Sequence, residues 1–268
     1  RGIRVELSMM VTLLKFQEPE SGPRRLTTQH DDNKSEVATT MYTRTIDYPC
    51  AIADFTDEGA EAALQWALDH KGDGEELTLW AMAQGTLQAN DFLRGLSRYK
   101  GNGLNVTVGK YVHRVKGPVL AMYPDAENLA YPAGALGVTA LAVVASPHEL
   151  DTWAEEVKAE VVHSIDSNGS NTLELSGITP EPALVPEVVA GLKQMTILIN
   201  HNNTIASGYE RDQVVKVLRQ LKRDGYDLPA KRMAEWAVAN GWRHGNPKEL
   251  IKLVRKANDG VRLRYRSY

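Results

Sequence analysis

The sequence predicts an α/β fold: a Rossmann-like, mostly parallel sheet domain followed by a small basic helical domain, three-helix and helix-turn-helix-like. Three observations carry this. Val138 to Ala145 is a nearly unbroken apolar run, the pattern of a strand buried on both faces. Upstream of it, strand-like and helix-like segments alternate, as a parallel sheet covered by helices requires. Downstream, beyond a stretch rich in Ser, Gly, Asn and Pro, the periodicity becomes wholly helical.

Residues 1–40 read as an N-terminal arm and a polar linker. Ile3, Val5, Leu7, Met9, Val11 and Leu13 occupy every odd position, which suits a strand over 3–14. Residues 17–40 are almost free of large apolar side chains and cannot bury a core. The Rossmann-like domain is expected over 41–165. Residues 45–55 form a strand ending near Asp54, and Thr56 caps a helix over 57–70 whose apolar stripe is Ala60, Ala63, Leu64, Ala67 and Leu68. A turn leads to a strand over Leu77–Met82. Gln84 and Thr86 then precede a helix near 88–99 with Phe92, Leu93 and Leu96 facing inward.

Lys100-Gly101-Asn102-Gly103 marks a turn. LNVTV and KYVHRV follow as short strands broken by Gly109, one bulged edge strand. Gly117-Pro118 precedes a buried strand, VLAMY, and Pro124-Asp125 opens a short helix. The strand-to-helix unit 137–163 comes next. Ser146 reads as the N-cap of its helix, with Pro147 in the first turn and Glu149 three residues after the cap.

Residues 166–183 form a linker, and 184–268 a basic helical domain with an Arg-rich tail. Pro186 opens a helix to about Asn200, interrupted by Asn200-His201-Asn202-Asn203. Ser207 and Glu210 form a capping box for 208–224, ended at Gly225. Asp227 and Pro229 introduce 229–240, ended at Gly241, and Asn246, Pro247 and Glu249 introduce 247–259, ended at Gly260. Trp236 belongs to the core of its helix, and Trp242 covers the junction that follows.

Composition excludes several classes of protein. With 43% hydrophobic and 24% charged residues, the sequence is that of a globular protein. A single cysteine, Cys50 in the apolar run YPCAIADF, rules out an internal disulfide framework and implies a buried, inert thiol. No run of 18 apolar residues occurs, so a membrane partner is not expected, and the single cysteine fits a reducing compartment, so the chain reads as cytoplasmic. The phosphate-loop, dinucleotide, zinc, EF-hand and nucleophile-elbow motifs are all missing, so neither metal nor cofactor is expected.

Open parallel sheets bind ligands at the carboxyl ends of their strands. The residues expected there are Asp54, Gln84, Thr86, Asp125, Ser146 and His148. Asp125, Ser146 and His148 supply the acid, nucleophile and base that a hydrolase needs, and are the catalytic candidates. Each also has a local explanation in helix initiation. The backbone amides after Ser146 offer a seat for phosphate.

The charge is unevenly distributed. Net charge is −3, yet residues 209–268 carry 15 Lys and Arg against 7 Asp and Glu. On the last helix Lys248, Lys252, Arg255 and Lys256 share one arc, opposite Leu250, Leu253 and Val254. Arg219 and Lys222 line the first of the three capped helices, and Arg262 and Arg264 share one side of an extended tail. These eight residues are the nucleic-acid-binding candidates, with DNA or RNA as partner. Two alternatives remain open: an enzyme that processes nucleotides or phosphoesters, or a structural protein that pairs with itself or another protein through its N-terminal arm.

LKRDGYDLPAKRMAEWAVANGW and ELIKLVRKANDGVRLR resemble the ends of uncharacterised actinobacterial proteins, and VLAMYPDAENLA and TALAVVASPHELDTWA resemble the same group in spacing. The resemblance implies a bacterial cytoplasmic setting and a two-part layout, with no assigned activity.

Overall fold

The computed structural model describes residues 46–146, 148–164, 181–199 and 204–265. The arm and linker over 1–40, Pro147, most of the 166–183 linker, and Asn200–Asn203 with His201 lie outside the described residues. In chain order the elements are β1 (Cys50–Asp54), α1 (Asp57–Asp69), β2 (Leu77–Ala81), α2 (Gln84–Ala89), α3 (Asp91–Ser97), β3 (Leu104–Val108), β4 (Arg114–Met122), α4 (Ala130–Ala133), β5 (Leu136–Ala145), α5 (Asp151–Val157) and β6 (Glu160–His163). Four helices follow: α6 (Pro186–Leu198), α7 (Gly208–Arg223), α8 (Ala230–Ala239) and α9 (Asn246–Asn258).

The six strands form one sheet in the order β3-β2-β4-β5-β1-β6, every pair parallel. The α/β class therefore stands. The order differs from the 3-2-1-4-5-6 of dinucleotide-binding sheets: β1 sits between β5 and β6, and β4 lies against β2.

Side-chain alternation sorts the sheet into two faces. Ala140, Ala142 and Val144 of β5 point into one core with Ala60, Ala63, Leu64 and Ala67 of α1, Leu87 of α2, and Phe92, Leu93 and Leu96 of α3. Leu141, Val143 and Ala145 point into the other, with Tyr131 of α4, Trp153 of α5 and the apolar faces of α6–α9. The second core is continuous from the sheet into the C-terminal helices, and Trp236 and Trp242 are buried within it. The Trp242 indole N–H also donates to Thr196 Oγ1 of α6 at 2.8 Å.

Several boundaries differ from expectation. The helix expected over 88–99 is two helices broken at Asn90, whose side chain caps α3 by accepting from Leu93 N at 3.1 Å. KYVHRV and VLAMY are not separate strands: their ends fuse into the long central strand β4, while 109–113 crosses the sheet with Val112 buried. The pairing of β4 slips around Gly117, where φ is 149° and a Cβ would stand 2.8 Å from Glu75 Cβ and 2.9 Å from the Glu76 carbonyl. The helix expected at Pro124-Asp125 is a turn, and α4 begins only at Ala130.

Ser146 is not an N-cap. The chain makes a turn in which Glu149 N donates to Ser146 O at 3.0 Å, with His148 (φ 60°) and Leu150 (φ 74°) left-handed, and α5 starts at Asp151. Leu150 is wholly buried, so its packing sets the entry angle and overrides the cap-Pro-Glu signal. The Ser207–Glu210 capping box does not form either. Ser207 occupies the N-cap without a side-chain bond, and Glu210 turns inward to accept from Thr204 N at 3.4 Å. Asn246 is the first residue of α9 rather than its cap, and its Oδ1 accepts from Ile205 N at 3.1 Å.

Candidate functional site

Two places concentrate polar chemistry. The first is the carboxyl edge of the sheet. The helix after β1 lies on one face and the helix after the adjacent β5 lies on the other, which makes their junction a topological switch point. Asp54, at the end of β1, is 8% exposed. Its Oδ1 accepts from Thr56 N at 3.1 Å and from the Thr56 hydroxyl, and its Oδ2 faces His163 Nδ1 at 3.0 Å. Burial raises the Asp54 carboxyl, but the hydrogen bonds from Thr56 and His163 together outweigh it and hold the group below its usual range. Thr56 caps α1, accepting from Gly59 N at 2.9 Å, as expected from sequence.

His163 escaped the sequence reading. It closes the four-residue strand EVVH, and only the pairing of β6 with β1 brings it to Asp54. Asp125, Ser146 and His148 are not joined by hydrogen bonds among the described residues. Asp125 Oδ1 accepts from Glu127 N at 2.9 Å and Asn128 Nδ2 at 2.7 Å within its own turn, and His148 Nδ1 lies 3.3 Å from Asp151 Oδ2. Ser146 is exposed, while Gln84 and Thr86 lie in α2 beyond β2.

The amide seat after Ser146 is replaced by an internal contact. At the start of α5 the Thr152 N–H donates to Glu235 Oε2 of α8 at 2.9 Å. Burial pushes Glu235 up to about 7, against the opposing pull of the Thr152 and Trp153 amides and of Arg232. Arg232 Nη1 donates to Thr152 Oγ1 at 3.1 Å, and Glu181 caps α8 by accepting from Lys231 N at 2.8 Å.

The second place is a basic groove. Arg219, Lys222 and Arg223 of α7 and Arg262 of the tail line a cavity of about 260 Å³, with Ala257, Gly260, Val261 and Leu263 as its apolar wall. The tail returns along α7. Leu263 is buried beneath it, Arg262 and Arg264 are exposed, the Arg264 carbonyl accepts from Arg211 Nη1 at 3.0 Å, and the Arg219 guanidinium lies 5.2 Å from the Tyr265 ring centroid. Arg223 was not singled out from the sequence; its only signal was its place in the last turn of α7, beside Lys222.

The cations of α9 divide into two groups. Lys248 Nζ pairs with Glu127 Oε2 at 2.7 Å, and Lys252 Nζ with Glu249 Oε1 at 2.6 Å. The hydrogen bond and charge of Glu127 raise the Lys248 ammonium. Arg255 and Lys256 are exposed. Cys50 is buried, which pushes its thiol up to about 12. Among the described residues no group of three or more His, Cys, Asp or Glu side chains is placed to hold a metal ion, and no helix is long and apolar enough to cross a membrane.

Residues 185–268 match the model of a family described as a domain of unknown function (DUF1889). The match begins at the residue preceding α6 and takes in the four C-terminal helices, the basic groove and the tail. No curated protein and no solved structure matches the chain.

Proposed function

We propose that the protein binds nucleic acid along the surface formed by α7, the C-terminal half of α9 and the tail. One observation carries the reading: four cationic residues, Arg219, Lys222, Arg223 and Arg262, line a single cavity. Like charges gathered around a concavity repel one another unless an anion is drawn in, and a phosphate backbone supplies anions in series. Arg255, Lys256 and Arg264, all exposed, extend the field beyond the groove.

The test is fluorescence anisotropy of a labelled oligonucleotide against the full chain over a salt series. With about four phosphates neutralised, affinity falls roughly 50-fold for a single strand, or roughly 150-fold for a duplex, between about 50 and 200 mM salt. Reversing two charges, Lys222→Glu with Arg262→Glu, lowers affinity at least about tenfold and flattens the salt slope by roughly 1.5. Absence of binding at about 50 mM salt, where this electrostatic term is strong, would overturn the reading.

A second reading, acid–base chemistry on a nucleotide or phosphoester at the carboxyl edge, is favoured by the Asp54–His163 contact. A buried carboxylate on Nδ1 orients the ring, and the His163 side chain keeps 36% of its surface exposed. A thermal-shift series with nucleotides tests it, and a flat response to all of them removes it.

A further inference from the structure

We infer that the groove takes a single-stranded nucleic acid, seating a phosphate among Arg219, Lys222, Arg223 and Arg262 and stacking a base on Tyr265. This rests on the nucleic-acid reading and adds the form of the ligand. Three features support it.

First, the duplex mode in which a last helix enters the major groove requires the N-terminal residues of that helix to reach base edges. In α9 those residues are committed inward: Asn246 and Pro247 are buried, and Lys248 is paired with Glu127 of the sheet portion. Second, the four cationic residues line a concavity of about 260 Å³ rather than a ridge. That volume lies below the roughly 300–1,000 Å³ of drug-sized pockets, the scale of one phosphate-bearing group.

Third, Tyr265 stands beside the phosphate seat with 48% of its surface exposed, and the Arg219 guanidinium lies over its ring. The guanidinium holds one side of the ring in place and leaves the exposed part to an incoming base, the pairing of cation and aromatic platform that single-strand binders use. A duplex keeps its bases stacked inward and has none to place there. Val261, 52% exposed on the groove wall, adds apolar surface for the sugar.

The experiment compares a labelled thymidine oligonucleotide of about 12 residues, the footprint of single-strand sites, with a duplex of the same length. Both are titrated with the full chain at about 50 mM salt, where the phosphate term is strong. The single strand binds at least about tenfold tighter than the duplex. Tyr265→Ala weakens single-strand binding roughly 5- to 150-fold with an unchanged salt slope, because stacking releases no counterions. Tyr265→Phe keeps the affinity within about twofold. Equal or tighter binding of the duplex, or an Ala variant as good as the parent, overturns the inference and leaves the nucleic-acid reading standing. Binding of neither form removes both.

Discussion

Glu235 is a carboxyl group held where burial disfavours its charge. It is 4% exposed, faces the amide of Thr152, and has Arg232 and Glu149 as its charged neighbours. Its carboxyl moves from an ordinary 4.5 to about 7, so between those values the folded chain binds the proton more tightly than the unfolded chain. The stabilisation from that proton is full below about pH 4.5 and is lost as pH rises through about 7. The swing is on the order of 2–4 kcal/mol. Glu235→Gln keeps an acceptor for the Thr152 amide and removes the ionisation. It melts higher than the parent at pH 8, and its stability changes less between pH 5 and pH 8. Equal pH slopes in paired thermal melts would show that the carboxyl is solvated. Neither Glu235 nor His163 was legible as a special position, because each owes its role to a partner 83 or 109 residues away. Asp54 was legible, since a polar residue ending a buried strand is marked by its position alone.

Helix ends were more readable than helix starts. Gly225, Gly241 and Gly260 were each expected to stop a helix, and each adopts φ between 69° and 88° just past one. In all three the glycine N–H and the next N–H bond back to the last-turn carbonyls: Gly225 to Lys222 and Tyr226 to Leu221, Gly241 to Val238 and Trp242 to Ala237, Gly260 to Ala257 and Val261 to Lys256. That motif is local, so the sequence carries it whole. The starts of α5, α7 and α9 depend on what the first turn packs against, and there burial of Leu150, Glu210 and Asn246 displaced the cap signals. Two glycines separate backbone strain from crowding. At Gly260 a Cβ meets nothing within 4 Å, so Gly260→Ala costs only the left-handed backbone, about 1 kcal/mol. At Gly59 a Cβ would stand 2.3 Å from the Asp54 carbonyl oxygen and 2.5 Å from its Oδ1. Gly59→Ala must push α1 off the end of β1 and costs more, roughly 3 kcal/mol or above. Urea midpoints of the two variants measure the difference, and equal midpoints would show that α1 shifts freely.

At the scale of the molecule, the alternation of strand and helix announced a parallel sheet, but not the order of its strands. Periodicity records which residues are buried, not which strand lies beside which, and the placement of β1 between β5 and β6 leaves no local mark. The charge split was readable by counting. Its geometry was not, because Lys248 and Arg262 look alike in sequence, yet one is paired with the sheet portion and the other opens onto the groove. The core has a further consequence. Trp80, Leu141 and Val143 on the sheet and Val188, Leu218, Trp236 and Val254 on the C-terminal helices belong to one continuous apolar cluster. Removing the helices would expose a whole sheet face, a cost far above the few kcal/mol by which a chain of this size is stable. The sheet and the helices therefore unfold together. Tryptophan fluorescence, reporting Trp66, Trp80 and Trp153 on the sheet side and Trp236 and Trp242 among the helices, gives one transition whose midpoint coincides with loss of far-ultraviolet dichroism. Substituting Trp236→Phe with Trp242→Phe, so that the remaining signal comes from the sheet portion, leaves the fluorescence and dichroism midpoints coincident even if both shift. Two separated transitions in that variant would mean that the contacts across the cluster contribute little to holding the chain together.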